Sequence, residues 1–549
     1  MLLLSFVLVK LVQAEEVLKV MVHMSLGTNS HIKPLLEIGA VLRERNHSVF
    51  YSSFETNKKY NKPYKFPFIS LGNDADAEWD PRAMKAQYAT RNHEDPIKEI
   101  AKTFGVVAPG VYDKTYPIIV QVMKEEKPDV VMCDFIATAC REAAQMLGIP
   151  FITGFQPTDM YGITEASFLT TEMVYGSITT ESLTFFQRLQ SKVIQPLLEY
   201  YYYRSMVNGL NVIRAKYGVP PSSTPYGDFS TSLGLASSFF GFEASFPYPP
   251  YIKMIGPIKS ISYPPLTPEL TKFLEAHPKT VYIALGSIVI MTDFDIENLA
   301  FGCLQALSEG SIDGVIWGLG NTIREDFPEV IEFNATKLTR DQLLNNKLPH
   351  IKLLPWAPQK AILEHKNTKL FISHGGLESS FEAIFSATPV LCMPYLGDQP
   401  RNARKLEDAG IGKYINRATA TPTTVSDDIK YIMQDSTGSF LSNTQRMRTI
   451  AEHGSRRKSI GADAVEEYIE IARACRPLQT YRYGEIPCEL KHLAMASRNM
   501  PYITANLIDV YIFVALTLLA FLVALVYMLA ALMSYILPPT SIDQQKKNQ

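Results

Sequence analysis

Between residues 356 and 399 the chain gathers an indole, an imidazole, hydroxyls and carboxylates in an order that suits a nucleotide carrying a sugar. Trp356 offers a flat face on which a base can stack. His374, Gly376, Ser379 and Ser380 stand where a strand turns into a helix, an arrangement that aims free N–H groups and a positive dipole end at an anion. Glu382, one turn further on, suits the paired hydroxyls of a ribose. Asp398 and Gln399 follow the next strand and reach the same carboxyl edge, where open α/β sheets bind ligands. Far upstream, His31 and Asp134 each follow an apolar run, the first as a candidate base and the second as its candidate partner.

The elements that must position these groups can be read from apolar runs and their breaks. Residues 356–359 read as a loop, 361–364 as a helical turn, 370–373 as a buried strand, 379–385 as a helix and 390–393 as another strand. Near the start, 17–24 reads as a strand, and Leu35, Leu36, Ile38 and Leu42 mark one face of a following helix. The break at 29–34, with Pro34, places His31 on the loop between them. Residues 128–133 read as a strand ended by Asp134, followed by a helix at 137–147 and a strand at 149–153. An Asp at that point either partners His31 or caps the helix. Thr280 to Leu285 opens a second half and ends in Gly286-Ser287, another strand-to-turn phosphate position.

At 549 residues the chain exceeds a single core, and a net charge of −2 gives no basic surface for nucleic acid. Cys133 and Cys392 lie in apolar runs and read as core residues; six cysteines without ligand spacing predict no structural metal. The DAD at Asp74–Asp76 reads as a solvated turn. Residues 1–14 are apolar with a small residue at their end and read as a signal peptide, and residues 510–537 as a membrane span. Asn46 and Asn334 stand in glycosylation patterns, and Lys546 and Lys547 stand third and fourth from the end.

The 356–399 stretch resembles the donor box of the UDP-glycosyltransferase family, W-x-P-Q … H-G-G-x-N-S-x-x-E … D-Q, in its membrane-anchored glucosyl and glucuronosyl form. The resemblance implies a donor site of Ser287, Trp356, Ala357, Gln359, His374, Gly376, Ser379, Glu382, Asp398 and Gln399. In it Trp356 stacks on uracil, Gln359 and Glu382 hold ribose, and Asp398 and Gln399 bind sugar hydroxyls. It also implies that His31 is the catalytic base and Asp134 its orienting partner, in an inverting transfer with no cofactor and no metal. The implied fold is α/β of the GT-B kind: two facing Rossmann-like domains at 15–256 and 269–458, joined by a linker at 257–268. A helix at 459–475 crosses back, a juxtamembrane segment follows at 477–505, then a transmembrane helix at 507–537 and a cytosolic tail at 538–549.

The implied partners are a UDP-sugar, a small lipophilic acceptor and the bilayer of the endoplasmic reticulum, with the catalytic domains lumenal and homo-oligomers left open. Between 164 and 217 an aromatic-rich helical pattern serves either the acceptor pocket near the membrane or an ordinary core. Gln399 resembles the residue found in glucose-using members of the family, which implies glucose as the sugar; Arg401 reads as a solvent-facing charge, or else as the partner of a glucuronate. Glu378 stands where the family usually has Asn, and Ala387 where Gly is usual. Glu378 either points away and sits favourably at the helix N-terminus or stands beside the diphosphate and repels it; the second reading keeps another class in view, a non-catalytic, membrane-tethered binder of lipids or nucleotide sugars.

Overall fold

A computed structural model of the chain describes residues 17–26, 29–73, 96–156, 168–170, 178–287, 289–320, 327–333, 336–395, 397–478 and 481–536. The signal-peptide segment, the acid-rich turn at Asp74–Asp76, Asn334 and the tail lysines lie outside them.

Two parallel sheets carry the molecule. The first contains β1 (Lys19–His23), β2 (Ser48–Ser53), β3 (Phe68–Ser70), β4 (Val130–Asp134), β5 (Phe151–Phe155), β6 (Leu233–Ala236) and β7 (Ile252–Met254), in the order β3-β2-β1-β4-β5-β6-β7. The second contains β8 (Thr280–Ala284), β9 (Gly314–Gly318), β12 (Ile351–Leu354), β13 (Thr368–Ser373), β14 (Val390–Cys392) and β15 (Gly412–Tyr414), in the order β12-β9-β8-β13-β14-β15. Between β9 and β12 a separate antiparallel pair forms from β10 (Val330–Phe333) and β11 (Thr336–Thr339). Runs such as Val130-Val131-Met132-Cys133 are buried along their whole length because helices cover both faces of a parallel sheet.

The strand orders decide where ligands can sit. In the first sheet the chain winds outward from β1 in one direction and from β4 in the other, so a crevice opens between their carboxyl ends. In the second the same reversal falls between β8 and β13. His31 follows β1 and Asp134 is the last residue of β4; Ser287 and His374 follow β8 and β13. Each half therefore presents its chemistry at its own switch point.

One boundary differs from the sequence expectation. His31 lies in the first turn of a helix, Asn29–Glu44, and not on a loop. Pro34 sits inside this helix. One turn from the start a proline removes a single helical N–H, so the helix begins before it.

The helix Lys458–Cys475 packs on the first half: Ala462, Val465, Tyr468 and Ile469 share a core with Val20, Ile38 and Val130. In the opposite sense, Phe239 and Phe242 from the first half pack with Phe381 of the second. A fully buried ion pair, Glu243–Lys405 at 2.6 Å, accompanies them. Cys133 is buried as expected but is paired with Cys140; Cys475 pairs with Cys488, and Cys303 and Cys392 are buried and free.

Part of the aromatic pattern between 164 and 217 is not core. Phe186 is 76% exposed and Tyr200 69%, and Phe185, Leu197 and Tyr201 are exposed beside them in the helical run 185–216. Residues from Ala494 onward form a second compact unit. Its helix Ile508–Ile536 has 29 residues, none of them buried, contains an 18-residue stretch of mean hydropathy 2.8, and is long and apolar enough to cross a membrane.

Candidate active site

The first half brings its two candidate residues together. Nδ1 of His31 lies 3.1 Å from Oδ2 and 3.3 Å from Oδ1 of Asp134. Asp134 does not cap the next helix, whose N-cap is Ala137 without a side-chain bond. Its Oδ1 accepts from the Ile136 N–H at 3.1 Å, and its Oδ2 from Nε2 of Gln156, also at 3.1 Å. Gln156 follows β5 at the same sheet edge, and only that placement could have singled it out in the sequence. Phe135 stacks on the imidazole with ring centroids 5.6 Å apart. With Nδ1 held by the carboxylate, Nε2 is the nitrogen left to take a proton.

Burial works to lower the His31 pKa, but the charge and hydrogen bond of Asp134, joined by the charge of Asp398, outweigh it and raise the pKa above 6.5. Asp398 belongs to the other half. Burial raises its own pKa, while Asn402 and His31 act to lower it. The two halves thus face each other here closely enough for their charges to interact.

In the second half the candidate donor residues lie at the carboxyl ends of β12, β8, β13 and β14. Trp356 is 65% exposed, a free face for a base. Ala357 is partly buried beside Tyr282, and its carbonyl accepts from the Gln359 N–H at 2.8 Å. Tyr282 donates to Oε1 of Gln359 at 3.5 Å, and Nε2 of that amide donates to Ser379 at 3.0 Å and Glu382 at 2.9 Å. Burial, with Glu378 close by, pushes the Glu382 carboxyl up to about 7 against the opposing pull of Lys33 and Gln359.

Gly376 precedes the helix Leu377–Ser386, and no side chain caps it, so the N–H groups of the first turn remain for a ligand. His374 is buried, and burial lowers its pKa to about 4, which makes it a neutral donor or acceptor at pH 7. Its Nδ1 has no partner among the described residues. The ring fits only because two neighbours lack side chains: a Cβ on Gly286 would lie 2.5 Å from its Nε2, and one on Gly376 2.4 Å. Gly286 also has φ +84°, a conformation that favours glycine. Ser287 is exposed beside it. Asp398 receives Nδ2 of Asn402 at 2.6 Å, and Oε1 of Gln399 accepts from the Tyr395 N–H at 2.9 Å.

Three other positions read differently once folded. Arg401 is 6% exposed, not solvent-facing, and its Nη1 donates to Thr170 of the first half at 3.1 Å. Ala387 ends its helix with φ +54°, a conformation that suits glycine better than alanine. Glu378 points across to the first half, where it pairs with Lys33 and Asn29.

A family model described as UDP-glucoronosyl and UDP-glucosyl transferase matches residues 60–453. The chain belongs to that family. A UDP-glycosyltransferase of Talaromyces amestolkiae is 28% identical over 518 residues, which cover 90% of this chain and 94% of the relative. Two solved structures share the fold. The glycotransferase of kitacinnamycin superposes with a TM-score of 0.56 at 17% identity, covering 82% of this chain and 98% of its own. The protein Os79 from O. sativa, solved in complex with UDP, gives 0.55 at 16%, covering 81% and 99%. The two sheets are the two Rossmann-like halves of a GT-B glycosyltransferase, and the protein is a UDP-glycosyltransferase that transfers a glycosyl group from a UDP-sugar donor to an acceptor.

Proposed function

We propose that this UDP-glycosyltransferase moves a hexosyl group, with inversion, to a hydroxyl of a small lipophilic acceptor. The observation that carries the reading is the His31–Asp134 pair, whose imidazole also feels the charge of Asp398 across the cleft. Nε2 of His31 takes the acceptor proton as the oxygen attacks the anomeric carbon; Asp134 holds the ring and stabilises the imidazolium that forms. On the far side the bond to the UDP oxygen breaks. Its growing charge meets the N–H groups at Leu377–Ser379 and the neutral His374 imidazole, donors already in place before the reaction. Trp356 stacks the uracil, the Gln359–Glu382 pair binds the ribose, and Asp398 and Gln399 orient the sugar. This cradle supports transfer without a metal or other cofactor.

Several features support a lumenal, membrane-anchored address in the endoplasmic reticulum, with the short tail cytosolic. The apolar helix Ile508–Ile536 suits a span, and two disulfides suit an oxidising compartment. The exposed Phe185, Phe186, Leu197, Tyr200 and Tyr201 suit contact with lipid, from which a lipophilic acceptor would come. Glucose is the preferred sugar; the burial of Arg401 keeps glucuronate as the second reading, since a buried guanidinium can pair with a carboxylate.

The test incubates the membrane-bound protein with UDP-glucose or UDP-glucuronate and a panel of lipophilic alcohols, with and without EDTA. Expected is a β-linked glucoside from the α-linked donor, unaffected by EDTA. An α-linked product would overturn the single displacement. Activity lost with EDTA and restored by a divalent cation would overturn the metal-free cradle.

A further inference from the structure

The helix Leu377–Ser386 places a carboxylate, Glu378, in its first turn, beside the N–H groups assigned to the donor diphosphate. A lone carboxylate there would repel that anion. The structure does not leave it alone. Nζ of Lys33, one and a half turns into the helix that carries His31, donates to Oε1 of Glu378. Nδ2 of Asn29, the first residue of the same helix, lies 3.0 Å from each Glu378 oxygen. Both partners come from the opposite half, about 345 residues away in sequence.

Lys33 is built in rather than draped on the surface. Its side chain is 7% exposed, and its ammonium lies 5.2 Å from the ring centre of Tyr263. Burial acts to lower its pKa, but Glu378, Tyr263 and Glu382 raise it, so Lys33 stays charged. A cavity between the halves is lined by Ser30, Lys33, Gln156, Tyr263, Glu378 and Glu382, which puts the ion pair, the Asp134 partner and the ribose carboxylate around one space.

We propose that Lys33 is a donor-site residue supplied by the acceptor half: with Asn29 it neutralises Glu378 and closes the diphosphate cradle from across the cleft. This rests on the assignment of residues 374–379 to the diphosphate. The ion pair offsets most of the repulsion that an acid at this position would exert on the diphosphate, at the cost of engaging the Lys33 ammonium. It also links the halves at the point where the donor binds, so the base-bearing helix is held to the nucleotide it serves.

The test compares UDP with uridine, which lacks the phosphates, by equilibrium titration of the full-length protein and of Lys33→Met and Glu378→Asn. Charge compensation predicts effects of opposite sign. Lys33→Met should weaken UDP about ten-fold or more and leave uridine within about two-fold. Glu378→Asn should tighten UDP, because Lys33 is then free for phosphate. The double variant should return to within about three-fold of wild type, and the KM for the UDP-sugar should rise in Lys33→Met with kcat nearly kept. A merely structural clasp predicts that both single variants weaken UDP and uridine alike, and that result would overturn the proposal. Should Lys33→Met not fold, Glu378→Asn decides alone: a tighter UDP-to-uridine ratio supports the proposal and a weaker one refutes it. Failure of the wild type to bind UDP would instead strike at the assignment of the donor site itself.

Discussion

Replacing Asp134 by Asn keeps the size of the side chain and removes its charge, so it isolates what the carboxylate does for His31. The oxygens lie 3.1 and 3.3 Å from Nδ1. At that separation and an effective dielectric of about 20, a carboxylate and an imidazolium attract by about 5 kcal/mol. The His31 side chain is 23% exposed, so solvent screens part of this. Retaining about half leaves ~3 kcal/mol, or roughly a hundred-fold in rate, because the imidazolium exists only once the proton has moved. The amide also disturbs its neighbours. Gln156 and the Ile136 N–H both donate to Asp134, and Asn can offer only one oxygen to these two and to His31.

The assay is kcat/KM for the acceptor at saturating UDP-sugar, followed across pH. His31 acts in its neutral form, so wild-type activity should fall as pH drops through a pKa lying above 6.5. With the carboxylate neutralised, burial dominates, and the acid limb should move to lower pH while the plateau falls about a hundred-fold. UDP affinity should stay within about two-fold, since Asp134 bonds to His31, Ile136 and Gln156 and not to the residues assigned to the donor. A loss of less than three-fold, or an acid limb that does not move, would refute the argument that Asp134 stabilises the charged ring.

Further predictions address the cradle and the helix end. Trp356→Ala should weaken UDP roughly ten- to hundred-fold, in line with the ~1–3 kcal/mol of a stacked base, without lowering stability; titration of UDP beside a melting curve checks both. Gly286→Ala should weaken UDP at least about ten-fold, because its Cβ would displace His374 and strain a φ of +84°; unchanged affinity would show that the imidazole position does not matter. Ala387→Gly should raise stability by about 0.5–1 kcal/mol, measured by chemical denaturation, because φ +54° strains alanine and suits glycine.

Strands such as β4 and β13 were legible in the sequence because a parallel sheet buries both faces and so writes continuous apolar runs between breaks. Placing His31 and Asp134 at one edge needed only the rule that parallel strands end on the same side. Local signals failed where a residue's fate depends on distant partners. Glu378 reads in the sequence as a lone acid beside a diphosphate, Lys33 carries no signal there, and only the folded chain pairs them. Arg401 reads as surface because cations usually are, yet it is buried and hydrogen-bonds to Thr170, more than two hundred residues earlier in the chain. Pro34 shifted the expected helix start past His31, since a proline near a helix start costs less than one in its middle. The exposed aromatic face at 185–201 carries the same residue types as a core, and composition cannot separate a lipid-facing surface from a buried one.

The central claim is that an imidazole from one half serves a nucleotide sugar held by the other. His31→Ala tests it most directly when binding and transfer are measured on the same preparation. UDP should bind as in wild type while glycosyl transfer to the best acceptor of the panel falls about 10²–10⁴-fold. Transfer at the wild-type rate with UDP bound would contradict the account, because the group said to take the acceptor proton would then be dispensable.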